Sequence, residues 1–372
     1  MKKIEEKNKI LFLVQLPPPI HGVSIMNKAV ISNPFFNIYQ KKIITFNFSK
    51  KISDLRKLTI KKLIKSILIF YKLFYYLLFF KPNIVYFTLF PFGKAFFYRD
   101  FFYLTLIKIF NKKVILHFHN IGIETESENK FKLRIYNWVF SNTNIIFLSN
   151  EIKKKELKNL SLKKTSFFIV PNGIPVIDKN EYLKSKKNYL NILFFSNFIK
   201  EKGLFLLLDA FRELSKKYDN IKLIIAGQDF DNNKQKIKKL VLDYNLQKKV
   251  TIKTNLYGKE KNELFADTDI FVFPSFFKEE AFPLVILEAM QMQLPIVASN
   301  IGAITDIIQD EKNGLLFKSK NKEELTKKIE TLILNKDLRN RLGQQARNNY
   351  KNKYTANTFN KCIVDVFNEV CI

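Results

Sequence analysis

The stretch IFVFPSFFKEEAFPLVILEAMQMQLPIVASNI, residues Ile270–Ile301, contains a predicted strand, loop, helix and second strand. The apolar run Ile270–Phe273 is short and unbroken, as in a parallel strand that is covered on both faces. A helix is expected to begin near Pro283, because proline suits a first helical turn, where its missing N–H would have no partner anyway. A second apolar run, Ile296–Ala298, follows. This strand–helix–strand order is typical of a parallel α/β sheet.

The same alternation continues along the whole chain of 372 residues. Twelve apolar runs with helical stretches between them exceed one doubly wound sheet. We therefore expect an α/β protein with two Rossmann-like βαβ domains facing each other across a cleft. The predicted strands are Ile10–Leu16, Ile43–Phe46, Ile84–Phe87, Val114–Phe118, Ile145–Leu148, Phe167–Val170, Ile192–Phe195, Leu223–Ala226, Val250–Ile252, Ile270–Phe273, Ile296–Ala298 and Leu315–Phe317.

A polar, lysine-rich stretch separates the first six predicted strands from the last six. It spans residues 175–190 and reads PVIDKNEYLKSKKNYL. We expect an N-terminal domain at 1–175 and a C-terminal domain at 190–353. The tail, 354–372, is predicted to be a helix that returns to the first domain.

The net charge of +29 is unevenly distributed. Residues 1–175 carry 30 Lys and Arg against 9 Asp and Glu, a net charge of +21, whereas residues 176–372 carry 33 against 25, a net charge of +8. Between residues 10 and 123 the acidic residues are Asp54 and Asp100. Lysines on solvated faces explain much of the second half but leave the missing acids of the first half unexplained. We expect the first half to be attracted to a polyanion, either nucleic acid or an anionic membrane.

The segment Leu55–Phe80 is strongly apolar, but its longest uncharged run is Leu73–Phe80. That run is shorter than the ~20 apolar residues a spanning helix needs. Several basic residues fall along one stripe at helical spacing: Arg56 or Lys57, Lys61, Lys65 and Lys72. This pattern suits a helix in a membrane interface, and equally a domain helix with one wet edge. The missing acids around it favour membrane contact.

The helix predicted at Pro283 offers a site for an anion. The helix leaves the amides of Leu284 and Val285 without an acceptor, and the positive end of its dipole lies there. Glu288 lies about 7 Å further along, from a rise of roughly 1.5 Å per residue. That distance suits a carboxylate that accepts hydrogen bonds from a ribose attached to a diphosphate at the helix N-terminus. Glu280, before the helix, faces the sugar side of such a ligand.

These residues carry a resemblance to a known family. Glu280-Ala-Phe-Pro-Leu-Val-Ile-Leu-Glu288, followed by Ala289-Met290, resembles the signature of the group 1 glycosyltransferases, which are retaining enzymes with the GT-B fold. Other motifs follow the family's order along nearly the whole chain: Pro17-Pro-Pro-Ile-His-Gly22, Lys113–Asn120 (KVILHFHN), Asn172-Gly173-Ile174, Glu201-Lys202-Gly203 and Asn313-Gly-Leu-Leu-Phe317.

The resemblance implies roles for particular residues. Lys202 would neutralise the donor diphosphate, Glu288 would hold the ribose hydroxyls, and Gly22 would let backbone amides approach the phosphate. Glu280 and His119 would form the catalytic set, Glu280 in contact with the donor sugar and His119 beside it. The rest of the implied donor-binding set is Asn197, Pro283, Leu284 and Val285.

The chain departs from the family's pattern at two places. The family usually has Gly-Arg where this chain has Ser196-Asn197, so a second cation on the diphosphate is missing. Either another basic residue replaces it or the donor site is weaker. The glycine that usually follows the first glutamate is Ala281, a mild change.

The histidines and paired acids raise the question of a metal. His117 and His119 alternate along a strand and point in similar directions, but no further ligands cluster with them. We interpret His117 as structural and His119, at the carboxyl end of its strand, as the functional residue. His21 stays outside the catalytic set. Asp267-Thr-Asp269 resembles the metal-binding motif of the other major glycosyltransferase fold, yet it directly precedes a buried strand. We expect no metal and no cofactor apart from the nucleotide-diphosphate sugar as co-substrate.

The remaining features bear on location. Cys362 and Cys371 make no disulfide framework, which favours a reducing cytoplasm. The run Ile10–Leu16 fits a first buried strand better than a signal peptide, because Glu5 and Glu6 precede it. We expect a cytoplasmic protein, peripheral on the inner face of the cytoplasmic membrane.

The sequence therefore predicts a hexosyltransferase-type, retaining glycosyltransferase. Its partners would be a nucleotide-sugar donor, a saccharide acceptor that is lipid-linked, and an anionic membrane surface, as in capsule or lipopolysaccharide assembly. A sugar-nucleotide epimerase on the same fold is an alternative, but it needs acids or bases around the sugar and the first domain is poor in acids. A basic module that binds nucleic acid lacks any recognisable motif here. A degenerate, non-catalytic transferase is the reading that Asn197 leaves open.

Overall fold

The computed structural model describes residues 8–48, 59–182, 187–230 and 232–371. They form two compact units. The first comprises the residues up to Asn172 together with those from Asn357 onward, and the second comprises Gly173–Ala356. The lysine-rich stretch at 175–190 groups with the second unit where it is described.

Each unit contains a six-stranded sheet in which every described pairing is parallel. The first sheet has the order β2-β1-β3-β4-β5-β6, and its strands are β1 (Lys9–Val14), β2 (Gln40–Thr45), β3 (Ile84–Phe87), β4 (Lys113–His117), β5 (Asn144–Phe147) and β6 (Ser166–Ile169). The second has the order β12-β11-β10-β7-β8-β9, and its strands are β7 (Leu190–Phe195), β8 (Ile221–Gly227), β9 (Val250–Thr254), β10 (Ile270–Phe273), β11 (Ile296–Ser299) and β12 (Leu315–Phe317).

The sequence-based strand predictions are confirmed, each to within three residues at either end. They succeed because the central strands are buried on both faces. In β1, for example, every side chain from Ile10 to Val14 is buried, so the strand reads as a continuous apolar run.

Helices connect the strands in both units. In the first unit they are α1 (Gly22–Ile31), α2 (Ile60–Tyr75), α3 (Gly93–Ala95), α4 (Phe101–Ile109), α5 (Ile123–Glu126), α6 (Lys130–Phe140) and α7 (Asn150–Glu156). In the second they are α8 (Leu204–Lys217), α9 (Asn233–Asp243), α10 (Gly258–Ala266), α11 (Leu284–Gln291), α12 (Ile304–Ile307), α13 (Lys322–Leu334) and α14 (Lys336–Lys353). Single turns of 3₁₀-helix lie at Pro34–Ile38, Lys179–Glu181 and Lys200–Lys202, and π-turns at Tyr76–Phe80 and Phe96–Asp100.

The last helix, α15 (Ala356–Cys371), packs in the first unit. The ring of Phe367 lies 4.7 Å from that of Phe36 and 5.9 Å from that of Tyr86, measured between ring centroids. Lys113 Nζ also donates to the carbonyl of Val370 at 2.8 Å. The C-terminal helix therefore returns to the first unit, as predicted.

The apolar segment of the first unit is helical from Ile60 to Phe80. Helix α2 continues through the π-turn to Phe80, whereas Leu55, Arg56 and Lys57 lie outside the described residues. Among the described helices, Ile60–Phe80 is the one that is long and apolar enough to cross a membrane by length and composition alone. The helix therefore reaches the length of a spanning helix, whereas its longest uncharged run, Leu73–Phe80, does not.

Candidate active site

Helix α11 begins at Leu284, one residue after the start that was expected near Pro283. Pro283 occupies the N-cap position with extended dihedral angles (φ −72°, ψ 108°), and the helix begins at Leu284. The Ile286 amide donates to the Pro283 carbonyl at 3.1 Å. The helix itself offers no acceptor to the amides of Leu284 and Val285, and such amides together with the helix dipole favour an anion.

Lys202 and Glu280, which are far apart in the sequence, meet in the loop that precedes this helix. Lys202 Nζ lies 2.5 Å from Glu280 Oε2, and the Ser275 hydroxyl donates to the same oxygen at 2.9 Å. The two side chains of the ion pair are only 14% and 8% exposed. The carboxylate of Glu280 is therefore held in place, three residues before Pro283, with a cation against it.

The backbone around Lys202 explains how the pair forms. The Phe276 amide donates to the Glu201 carbonyl at 2.7 Å, which ties the lysine loop to the loop after β10. Gly203 has φ +80°, and a Cβ built on it would lie 1.9 Å from the Pro274 carbonyl oxygen. This position requires glycine, since any side chain would push the two loops apart.

Glu288 has a cationic partner that the sequence did not indicate. Lys261 Nζ, on α10, lies 2.6 Å from Glu288 Oε1, and both side chains are about a quarter exposed. Lys261 Nζ also lies 5.8 Å from the ring centroid of Phe195, the last residue of β7. No pattern in the sequence distinguishes Lys261 from the many other lysines.

Asn197 follows β7 by two residues and is half-buried. Its carbonyl accepts the Ile199 amide at 2.7 Å, which forms a tight turn ahead of the lysine loop. The side chain is neutral, so the position where the family usually carries arginine contributes no charge to the second unit.

His119 and its neighbours lie in the first unit, just after the carboxyl end of β4. The rings of His117 and His119 have centroids 4.0 Å apart, so the two side chains do point the same way. His117 Nδ1 and the Tyr86 hydroxyl lie 2.6 Å apart, in keeping with a structural role for His117. Within the described part of the chain, the buried Nε2 atoms of His21, His117 and His119 have no hydrogen-bond partner.

Burial keeps this histidine cluster uncharged. Burial, and to a lesser degree His21, lowers the pKa of His119 to about 3. The pKa of His117 lies well below its usual range for the same reason, with His119 as the second cause, and burial also lowers the pKa of His21. At neutral pH, His119 is therefore a neutral imidazole that can exchange hydrogen bonds but carries no charge.

The start of α1 lies in the same unit. Gly22 is the exposed first residue of that helix, and His21 precedes it in the extended conformation. The His21 amide donates to Ser24 Oγ at 3.1 Å, and the Ser24 hydroxyl lies 2.8 Å from the Pro19 carbonyl. His21 was left outside the catalytic set, yet it is close enough to His119 to affect its pKa. The sequence does contain one indication that His21 belongs to this site, because His21 directly precedes Gly22, which was assigned to the donor phosphate.

A second residue that the sequence did not single out supports the loop after His119. Glu156, which is fully buried, accepts the amides of Gly122 and Ile123 through Oε2 at 2.9 and 2.7 Å. Its carboxylate fixes the backbone that begins three residues beyond His119. An isolated glutamate on a lysine-rich helix gave no hint of this contact.

The paired acids Asp267 and Asp269 make hydrogen bonds to β7 of the second sheet. Asp269 Oδ2 accepts the Asn191 amide at 2.7 Å and also lies 3.2 Å from Lys187 Nζ. Asp267 Oδ2 accepts the side-chain amide of Asn191 at 2.8 Å. They lie between the end of α10 and the start of β10, as the sequence predicted. Among the described residues, no group of three or more His, Cys, Asp and Glu side chains is placed to hold a metal ion.

Two units built on parallel six-stranded sheets with interleaved helices are the architecture of the GT-B fold. The structure of HepE from Anabaena in complex with UDP superposes with a TM-score of 0.73, covers 97% of this chain and 100% of that one, and is 18% identical in sequence. At that identity the likeness establishes the fold alone.

A family model matches the second unit. Residues 177–349 match the family model "Glycosyl transferases group 1". The matched residues lie within the second unit, Gly173–Ala356.

Curated relatives agree with the family. An uncharacterized glycosyltransferase of Methanocaldococcus jannaschii, MJ1178, is 29% identical over 246 residues, which is 64% of this chain and 63% of that protein. The capsular polysaccharide biosynthesis glycosyltransferase CapM of Staphylococcus aureus is 25% identical over 231 residues, which is 59% of each. The chain thus spans about three fifths of the length of these relatives.

Proposed function

We propose that the protein transfers a sugar from a nucleotide-diphosphate donor to a lipid-linked saccharide, with retention at the anomeric carbon, in the assembly of a cell-surface polysaccharide. The observation that carries this proposal is the ion pair of Lys202 and Glu280 in the loop that leads into α11. Together with the amides at the start of α11, the pair provides a cation and a carboxylate that is held in place. These are the groups that a diphosphate joined to a sugar requires.

The donor would be bound from its phosphates outward. The amides of Leu284 and Val285 and the ammonium of Lys202 would meet the diphosphate, Glu288 would accept the ribose hydroxyls, and Glu280 would contact the sugar. HepE, which shares the fold, binds UDP. For His119, in the first unit, contact with the donor sugar is a prediction from the family resemblance. No metal is needed in this scheme, since helix amides and lysine meet the phosphate charge.

The proposed step exchanges one bond for another. The acceptor hydroxyl oxygen forms a bond to the anomeric carbon while the bond from that carbon to the diphosphate oxygen breaks. The hydroxyl proton passes to the departing phosphate oxygen, so no separate carboxylate base is required. Stabilisation of the leaving diphosphate by fixed dipoles and cations lowers the barrier.

An end-point assay tests the reaction. The protein is incubated with UDP-, GDP- and ADP-sugars and a lipid extract that contains polyprenyl-linked saccharides, and the released nucleoside diphosphate and the glycosylated lipid are quantified. The anomeric configuration of the product, read by NMR, tests retention. Transfer that is absent with every donor, or product with an inverted anomeric centre, would contradict the proposal. Formation of an epimeric sugar nucleotide without acceptor would indicate the epimerase instead.

The exposed face of α2 supports the membrane part of the proposal. Its buried stripe is narrow and consists of Lys62, Ser66, Ile69 and Leu73. The rest of the helix and its π-turn expose large apolar side chains, with Ile60 78% and Leu68 62% exposed; the others are Leu63, Ile64, Ile67, Tyr71, Phe74, Tyr75, Leu78 and Phe79. A helix of a water-soluble domain shows the opposite distribution.

The neighbouring helix α4 extends the apolar surface. It packs against α2 through Tyr103, whose hydroxyl lies 2.9 Å from Ser66 Oγ, and through the ring of Phe110, 5.8 Å from that of Phe74. Phe102 and Ile109 of α4 are themselves exposed. Apolar side chains on two adjacent helices therefore share one face of the first unit.

The charges around this face suit an anionic membrane. Lys61, Lys65 and Lys72 of α2 are exposed, and long lysine side chains can reach lipid headgroups while their stems lie in the apolar layer. Asp100, the acid between residues 10 and 123 that the structure describes, is fully buried and paired with Arg99 at 2.5 Å. We therefore propose a peripheral position on the inner face of the cytoplasmic membrane.

Liposome sedimentation tests this position. The protein should bind vesicles with anionic headgroups at low salt and be released by high salt. The variant Leu68→Glu/Tyr71→Glu places charge on the exposed face of α2 and should bind weakly. Leu242→Glu/Leu334→Glu, which places the same two charges on exposed leucines of the second unit, is the matched control. Absence of wild-type binding, or equal loss in the control, would contradict membrane contact through α2.

A further inference from the structure

Two ion pairs involve the predicted donor-binding glutamates of the second unit. Lys202 is paired with Glu280 at 2.5 Å, and Lys261 is paired with Glu288 at 2.6 Å. The first lysine was expected there, whereas the second was not. The site thus contains one cation for each of its two carboxylates.

This balance matters for a ligand that is itself an anion. With Lys202 as the single cation, the two glutamates would leave the site with a net negative charge, and a diphosphate would be repelled. A like charge within a few ångströms at partial burial costs several kcal/mol at an effective dielectric constant of about 20. Lys261 removes that excess, since its ammonium lies directly on Glu288.

The place of Lys261 also matches the missing arginine. Its Nζ lies 5.8 Å from the ring centroid of Phe195, the last residue of β7. Asn197, where the family usually carries arginine, follows two residues later. Lys261 therefore brings a cation to the end of the same strand, from a different helix.

We propose that Lys261 is the second cation of the donor site, and that it binds the phosphate of the nucleotide that adjoins the ribose. The proposal rests on the proposed function, because it assigns a residue within that same site. An ammonium has three donors. One holds Glu288 toward the ribose hydroxyls, and the others are available to the phosphate oxygens.

A plain structural alternative is an ion pair that merely joins α10 to α11. The two readings differ in what Lys261 senses. A phosphate ligand feels the ammonium in proportion to its phosphate charge, whereas an ion pair that only positions Glu288 affects every ligand with a ribose equally. The affinity for nucleoside, monophosphate and diphosphate therefore separates them.

The experiment measures dissociation constants by calorimetry for uridine, UMP and UDP, with the guanosine and adenosine series alongside. The proteins are wild type, Lys261→Gln, Lys261→Arg and the control Lys259→Gln. Lys259 lies on the same helix and is paired with Glu263 in solvent, so its change alters the net charge equally. Thermal unfolding of each variant confirms that it is folded.

For Lys261→Gln we expect about tenfold to hundredfold weaker binding of the preferred diphosphate, the worth of a charge-assisted hydrogen bond. Binding of the nucleoside should change by less than about threefold, and Lys261→Arg should keep most of the diphosphate affinity. Adding Asn197→Arg to Lys261→Gln should restore part of the loss, because it returns a cation to the usual position.

The outcomes that overturn the proposal are distinct. An equal loss for nucleoside and diphosphate would reduce Lys261 to a positioning role for Glu288. Unchanged diphosphate binding in Lys261→Gln would remove it from the site, and the proposed function would stand. Failure of the wild-type protein to bind any nucleoside diphosphate would instead refute the proposed function, and this inference with it.

Discussion

Replacing Glu280 by glutamine should separate donor binding from catalysis. Glu280 Oε2 lies 2.5 Å from Lys202 Nζ and accepts the Ser275 hydroxyl at 2.9 Å. A diphosphate that binds Lys202 must compete with this carboxylate. A hydrogen bond to a charged group contributes about 1.5–3 kcal/mol, and an amide oxygen retains only part of it. The change should therefore release about 1–2 kcal/mol of competition and tighten UDP or GDP binding by roughly tenfold.

Turnover should change in the opposite direction. Because Glu280 is assigned to the donor sugar, loss of its charge should lower sugar transfer by about 100-fold or more. Calorimetry with the nucleoside diphosphate and the end-point transfer assay measure the two effects on the same preparation. The control is Glu263→Gln, which removes one exposed carboxylate on α10 and should leave both quantities unchanged. Weaker diphosphate binding in Glu280→Gln would refute the idea that the two anions compete for Lys202.

Three further predictions concern stability. Because burial lowers the pKa of His119 to about 3, the unfolded chain binds a proton below pH ~6.5 that the folded chain does not bind. This histidine alone should therefore lower the free energy of unfolding by about 1.4 kcal/mol per pH unit as the pH falls from ~6.5. In thermal melts between pH 7.5 and 5.5, the stability of His119→Gln should depend less steeply on pH than that of the wild type, and an identical slope would contradict the assignment. Gly203→Ala should destabilise the protein by more than ~2 kcal/mol in denaturant melts, because its Cβ would lie 1.9 Å from the Pro274 carbonyl oxygen. The control is Gly258→Ala, which also has positive φ but no atom within 4 Å of the new Cβ, and it should cost about 1 kcal/mol. Equal costs would show that the close approach at Gly203 is unimportant. Glu156→Ala should leave two loop amides without their acceptor and cost about 2–4 kcal/mol by the same melts, while a loss below ~0.5 kcal/mol would refute its role.

The fold could be predicted from the sequence because its strands are buried on both faces. Runs such as Ile270–Phe273 and Ile84–Phe87 have no polar interruption and coincide with their strands. The predicted start was least accurate at β2. The strand begins at Gln40, three residues before the predicted start at Ile43, and its first residues are polar. The faces of this edge strand are less completely covered than those of a central strand, so it includes polar residues and its start is hidden from a search for apolar runs.

The site was predictable only in part. The motifs and their spacing predicted a site with Lys202, Glu280 and Glu288, and in the structure Lys202 is paired with Glu280. The same reasoning missed Lys261, since an ion pair between two helices leaves no periodic or compositional mark. It also set His21 aside, because its closeness to His119 depends on how the first loop folds back over the sheet.

The most direct test of the central claim is nucleotide binding. A thermal-shift panel of UDP, GDP, ADP, CMP and their common sugar conjugates, run on the wild type and on Glu288→Ala and Lys202→Ala, measures it. One nucleoside diphosphate and its sugar conjugates should raise the melting temperature of the wild type, by linkage worth about 2.7 kcal/mol at a hundredfold excess over Kd. Both variants should lose the shift. No shift with any nucleotide, or a shift that both variants keep, would contradict a donor site at Lys202 and Glu288.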